Sequence, residues 1–209
     1  ELEKRGHRFV RYADDMVILC KSKASAKQTL EHIIPYIERK LFLKVNLEKT
    51  VVSYAGKIKF LGYGFYKSQK GFRMRVHRKT KEKLKAKVKE LTSRRNIQSY
   101  EEWKKKMKQF IVGWINYFKL ADMGNLLKDT DEWMRRRIRR VFWKRWKRVR
   151  TRYRNLEKLG ISHSNAGILA NSRKGYWRIA NSPILKVALS NQRLEKDGFQ
   201  YFNSYYKSV

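Results

Sequence analysis

The apolar pattern of this chain changes character near His77, from mostly strand-like to wholly helical, and that change constrains the fold more than any other feature. Up to Val76 the apolar residues gather in short runs rich in β-branched and aromatic side chains, separated by turn signals. Two such runs flank a pair of aspartates near the start. Residues 45–52 and 57–66 read as further extended segments, and Gly71 as the turn into a last strand over 72–76. One helical stretch, residues 23–43, interrupts them, with Ala26, Leu30, Ile33, Ile34, Ile37 and Leu41 on one face. Pro35 inside it has no amide hydrogen and predicts a kink or a break. After His77 the apolar residues recur every three or four positions. Leu84, Val88 and Leu91 mark a helix over 79–91. Ser99 and Glu102 form a capping-box pattern ahead of Trp103, Met107, Phe110, Trp114, Tyr117 and Ala121, a face widened by Ile111, Ile115 and Phe118. Met134, Ile138, Phe142, Trp146, Val149 and Tyr153 stripe a third helix over about 130–153. In the tail, Pro183 after Ser182 opens a short helix, while Gly160 and Gly198 read as stops. The expected fold is α+β: a strand-rich part over 1–77, a helical bundle over 78–154 and a short helical region over 155–209.

The most chemical stretch of the first part is Phe9-Val10-Arg11-Tyr12-Ala13-Asp14-Asp15-Met16-Val17-Ile18-Leu19. Strands on both sides predict a hairpin with Asp14 and Asp15 at its tip. A tight turn anchored in a core holds adjacent carboxylates beside a polar opening, an arrangement that binds hard divalent metal such as Mg²⁺. Asp is also a common turn residue with no further task, so the pair alone leaves both readings open.

Charge supplies the partner class. The 209 residues include 52 Lys and Arg against 18 Asp and Glu, a formal charge of +34, with six Trp, twelve Tyr and ten Phe. A disordered basic tail would lack that aromatic content. A folded, strongly basic chain points to a polyanion. No apolar run approaches the ~18 residues of a membrane span, and no secretion signal opens the chain, so nucleic acid is preferred over a membrane. The single cysteine, Cys20, permits no internal disulfide, which fits a reducing compartment, either bacterial cytoplasm or an organellar matrix. Residues 135–154 hold twelve Lys and Arg and no acid. Such a run repels itself at i, i+4, and a phosphate backbone would relieve it. Arg135, Arg136, Arg139, Lys144, Lys147 and Arg148 lie mostly away from the apolar stripe and are the candidate RNA contacts. Arg173, Lys174 and Trp177 join them from a basic and aromatic stretch of the kind that grips single strands.

Several of these stretches also resemble a known family. Arg11-Tyr12-Ala13-Asp14-Asp15 resembles the active-site motif of reverse transcriptases, which forms a hairpin in the palm domain. Asn46-Leu47-Glu48-Lys49-Thr50 resembles the next block, and Phe60-Leu61-Gly62-Tyr63-Gly64-Phe65 the primer grip, in the family's order. Gly113-Trp114-Ile115-Asn116-Tyr117-Phe118 resembles the helical thumb, domain X, of group II intron maturases. Ser172 to Arg178 with Ile179-Ala180-Asn181-Ser182 resembles their C-terminal region. The resemblance spans nearly the whole chain and implies group II intron RNA as partner, with a DNA primer or target for the parent protein; a homodimer is left open. It implies Asp14 and Asp15 as ligands of Mg²⁺, or Mn²⁺, in a complete palm. It also implies Lys49 as a proton donor to the leaving pyrophosphate, though a solvated lysine is the plainer reading. Phe60, Leu61, Gly62 and Tyr63 become the primer grip, and Trp114, Tyr117 and Phe118 core of the thumb.

The resemblance also has gaps. The family's palm carries another metal-binding aspartate upstream, and two-metal phosphoryl transfer needs carboxylates on both sides of the metal pair. Asp14 and Asp15 supply one side. The expectation is that these residues are part of a longer RNA-directed DNA polymerase and do not polymerise by themselves. The alternative is a stand-alone RNA-binding maturase that assists splicing without polymerase activity. A generic basic RNA-binding or scaffold protein with a chance Asp-Asp turn is the third reading.

Overall fold

The change of character at His77 is also where the molecule divides. In the computed structural model, which describes residues 1–97 and 99–209, the compact units are Glu1–His77 and Arg78–Val209. The architecture is mixed α+β, with both sheets in the first unit.

The N-terminal unit opens with an antiparallel hairpin, β1 (Arg8–Tyr12) and β2 (Asp15–Leu19), in which Tyr12 pairs with Asp15. Helix α1 (Lys23–Lys40) follows. Ser22 caps it by accepting the Ser25 amide at 3.1 Å. The helix runs unbroken through Pro35, so of the expected kink or break, the break does not occur. The carbonyl that loses its donor belongs to Glu31, which is exposed, so water can satisfy it and the cost of the proline is contained.

Residues 45–52 form no strand. Asn46 instead folds a tight turn onto itself: its side-chain oxygen accepts the Lys49 amide at 3.2 Å and its carbonyl accepts the Thr50 hydroxyl at 2.8 Å. An Asn side chain offers the backbone this local alternative to a ladder. The expected single strand over 57–66 is likewise a second hairpin, β3 (Lys59–Phe60) turning into β4 (Tyr63–Ser68), which then pairs with β5 (Gly71–Val76). Leu61 and Gly62 form its two-residue loop at φ +50° and +82°. Positive φ at both positions is the type I′ pattern, whose twist matches that of the strands.

The helical unit comprises α2 (Arg78–Leu91), a 3₁₀ turn (Arg94–Asn96), α3 (Tyr100–Phe118), α4 (Gly124–Arg145), α5 (Val149–Lys158) and α6 (His163–Ala170). Four short helices close it: α7 (Tyr176–Ile179), α8 (Pro183–Ala188), α9 (Asn191–Lys196) and α10 (Phe202–Tyr206). Its core is built from Leu84 and Val88 of α2, Met107, Ile111 and Ile115 of α3, and Leu127, Met134, Ile138 and Trp143 of α4, all buried. The tail completes that core. Phe199 meets Trp103 edge-on at 4.9 Å, and Phe202 meets Trp114 at 5.8 Å. Gly160 and Gly198 adopt φ of +85° and +94° just past α5 and α9, where Ile161 and Phe199 return amides to Leu156 and Leu194, the Schellman closure.

Three expectations fail here for physical reasons. The capping box does not form: Ser99 makes no side-chain cap bond, and Glu102 pairs with Lys106 at 2.5 Å. The helix expected over 130–153 is two helices, α4 and α5, separated after Arg145. The apolar spacing runs on through the gap in the sequence, so periodicity does not report the break, and Val149, read as part of the stripe, is 45% exposed at the start of α5. Finally, Phe118 is core and Trp114 half-buried, but Tyr117 is 54% exposed.

Candidate nucleic-acid interface

The hairpin tip presents its carboxylates to solvent. Ala13 and Asp14 form the two-residue loop between β1 and β2, and Asp15 is the first residue of β2 rather than part of the loop. Ala13 sits at φ +49°, a left-handed conformation that glycine adopts more cheaply than alanine. Arg11 stabilises it by donating from Nε to the Ala13 carbonyl at 3.0 Å. Asp14 and Asp15 are both exposed. They are hard oxygen donors of the right chemistry for a divalent cation. Among the described residues no group of three or more His, Cys, Asp or Glu converges to complete a site.

Lys49 is exposed on the Asn46 turn. Phe60 and Tyr63 are paired across the β3–β4 hairpin and Leu61-Gly62 form its tip, so the four residues make one turn rather than a stretch of strand. The Gly62 carbonyl accepts the His77 amide at 3.1 Å, which ties that turn to the end of β5.

The basic run divides sharply into buried and exposed cations. Arg137 and Arg139 are 6% and 5% exposed. Arg137 donates to the Thr92 hydroxyl at 2.5 Å and to the Lys89 carbonyl at 3.0 Å, closing the end of α2. Burial, then the charge of Arg140, pushes its pKa down to about 10. Arg139 donates to the Leu189 carbonyl and to Asn191 Oδ1, each at 2.9 Å, at the junction of α8 and α9. The sequence reading of Arg139 as a solvent-facing RNA contact is therefore corrected: its donors are spent on the tail. Arg136 is half-buried, lies 4.0 Å over the Trp177 ring and donates to the Trp177 carbonyl at 2.9 Å. Arg135 is half-buried over Tyr201 at 5.2 Å. Arg145 and Arg193 similarly reach the carbonyls of Ile97 and Leu159, each at 2.7 Å. The shared logic is that C-terminal carbonyls of helices lack internal donors and carry partial negative charge, which a guanidinium answers.

A buried acid does the converse job. Asp131 of α4 is 2% exposed and accepts the amides of Phe202 and Asn203 at 2.9 and 2.8 Å, capping α10. Burial raises its pKa to about 6, partly offset by those two bonds and by Arg135.

Of the basic run, Lys147, Arg148, Arg150 and Arg154 face solvent at the α4–α5 junction and along α5, as do Arg173 and Lys174 ahead of α7. Trp177 stays 38% exposed and Tyr176 44%. Lys144 is half-buried with its ammonium 4.7 Å over Tyr176. Sequence reasoning missed Arg94, Arg95 and Arg140, which line an open cleft of about 200 Å³ together with Ser93, Val141 and Lys144. The Arg94-Arg95 pair was a visible signal, but nothing local places it against α4.

Two family models match the chain. Residues 1–65 match "Reverse transcriptase (RNA-dependent DNA polymerase)", and residues 81–160 match "Group II intron, maturase-specific domain". No curated protein matches it. Among the described residues no helix is long and apolar enough to cross a membrane.

Proposed function

The chain belongs to the group II intron-encoded reverse transcriptase/maturases, and we propose that its helical unit grips intron RNA through the cations exposed at the α4–α5 junction and before α7. The observation that carries this is the division of the basic run. Arg137 and Arg139 are consumed by helix ends, while Lys147 and Arg148 in the α4–α5 link and Arg150 and Arg154 one turn apart on α5 reach solvent, with Arg173 and Lys174 also exposed. Exposed cations with no side-chain partner among the described residues can neutralise phosphates. The test is a salt titration of binding to a structured group II intron RNA. Replacing Lys147, Arg148, Arg150 and Arg154 with Gln should reduce the slope of log affinity against log salt by roughly 0.7 to 0.9 for each phosphate lost. An unchanged slope would remove this face from the interface.

For the N-terminal unit we read residues 1–77 as part of a palm, residues 78–154 as a thumb and residues 155–209 as its C-terminal extension. Asp14 and Asp15 would hold Mg²⁺, or Mn²⁺, on one side, with further carboxylate supplied from elsewhere in a complete palm. When bound, the metal would stabilise charge developing on the phosphoryl group as a primer is extended. The β3–β4 turn would lie against the DNA primer strand, where Gly62 lets backbone approach closely, and Lys49 would donate a proton to the departing pyrophosphate.

A further inference from the structure

Four cations meet in a cleft that the activity described so far does not use. Arg94 and Arg95 come from the 3₁₀ turn after α2, and Arg140 and Lys144 are one helical turn apart on α4. Ser93 and Val141 complete the lining, so it contains no carboxylate among the described residues. The Nε of Arg140 is buried and has no hydrogen-bond partner among the described residues, a costly state for a charged donor. Like charges gathered in one cleft repel, and an anion in the cleft answers that repulsion.

The same two α4 residues border an aromatic pair. The Lys144 ammonium lies 4.7 Å from the Tyr176 ring centre, and the Arg140 guanidinium 6.0 Å from that of Trp177. Both residues are more than a third exposed. A charged cleft beside exposed rings matches a nucleotide rather than a free anion: phosphate on the cations, base on the ring. Base stacking requires a strand with unpaired bases.

We propose that this cleft holds one backbone phosphate of a single-stranded RNA segment whose neighbouring base stacks on Tyr176. The proposal rests on the RNA-binding reading above and adds where and in what form the RNA is held. Several cations gripping one phosphate release the counterions of one phosphate. A double variant should therefore lower the salt slope once, by about 0.7, where two cations on separate phosphates would lower it twice.

The experiment titrates the full chain with a short unstructured RNA and with a short RNA duplex across a range of salt. Arg95→Gln/Lys144→Gln should weaken the single strand about 5-fold at 0.1 M relative to 1 M salt and lower its slope by about 0.7. The duplex should be nearly unaffected. Tyr176→Ala should weaken the single strand by about 5-fold or more and spare the duplex. Melting curves, with Arg94→Gln/Arg95→Gln as a second cleft variant, separate folding from binding. A slope falling by about 1.4 on the single strand and about 1.8 on the duplex, or not at all, would overturn the single-phosphate site. So would pyrophosphate that raises the melting temperature of the parent chain only, with RNA binding equal in all variants. A Lys147→Gln/Arg148→Gln variant separates the two levels of argument. If it loses affinity while the cleft variants do not, the cleft proposal fails and the RNA-binding face stands. If neither loses affinity, both fail.

Discussion

Arg139→Gln is the sharpest test of how the basic helix is divided. The guanidinium is 5% exposed and makes two bonds of 2.9 Å, to the Leu189 carbonyl and to Asn191 Oδ1. Glutamine is too short to reach both. Each lost bond from a charged donor is worth about 1.5 to 3 kcal/mol. Part is returned because the buried guanidinium no longer has to be held away from water, the same effect that lowers its pKa. The net loss is about 3 kcal/mol, which in a unit of this size lowers the melting temperature by roughly 10 °C. Lys147→Gln is the matched control, since Lys147 is exposed on the same basic run. It should leave the melting temperature almost unmoved, within about 0.5 kcal/mol, while taking roughly 0.7 to 0.9 from the RNA salt slope. Calorimetry and an RNA salt titration on both variants give the two readouts. If Arg139→Gln melts with the parent chain and lowers the salt slope, the assignment of Arg139 to the tail is refuted.

The remaining predictions concern other parts of the chain. Asp131 has a folded pKa of about 6, above the ordinary carboxylate value of about 3.9. The folded state therefore holds this proton more tightly than the unfolded state, and the contribution is greatest below about pH 4. Stability should fall by about 2 to 3 kcal/mol as pH rises from 4 to 6, then level; Asp131→Asn should flatten that fall, and identical pH profiles of melting would count against it. Trp143→Ala, at a fully buried ring, should cost about 3 to 5 kcal/mol, and Trp114→Ala clearly less because that ring is half-exposed; urea melts rank the two. Where these residues are joined to a complete palm, Asp14→Ala should abolish primer extension with Mg²⁺ and nucleotides while RNA affinity stays unchanged. The 209-residue chain by itself should not extend a primer, and extension by it would show that two tip carboxylates suffice.

Most of what the sequence made legible depends on neighbours along the chain. The Asp14 hairpin, the helix through Met107 and Ile111 and the glycine stops all follow from local spacing, and all are present. What escaped was set by partners far away. The stripe drawn through Phe142 and Trp146 is slightly displaced from the buried one, which runs through Met134, Ile138, Val141 and Trp143. Arg137 sits three residues after Met134 and Arg139 four before Trp143, so α4 is enclosed on more than one side and some of its cations must point inward. Nothing near Arg139 announces that its acceptor lies 50 residues down the chain. The Asn46 turn was lost for the opposite reason: a single side-chain oxygen outcompeted the extended pattern of its neighbours.

The tail's attachment to α4 has a kinetic consequence. Helices α7 to α10 are four to six residues long, far below the roughly 12 to 15 that an isolated helix needs to persist in water. Three of them are locked from one helix, through Asp131 at α10, Arg136 at α7 and Arg139 just past α8. The last thirty or so residues should therefore not fray as termini ordinarily do. Their backbone amides should exchange with deuterated solvent only when α4 itself opens, making the end of the chain part of the same cooperative unit as its middle.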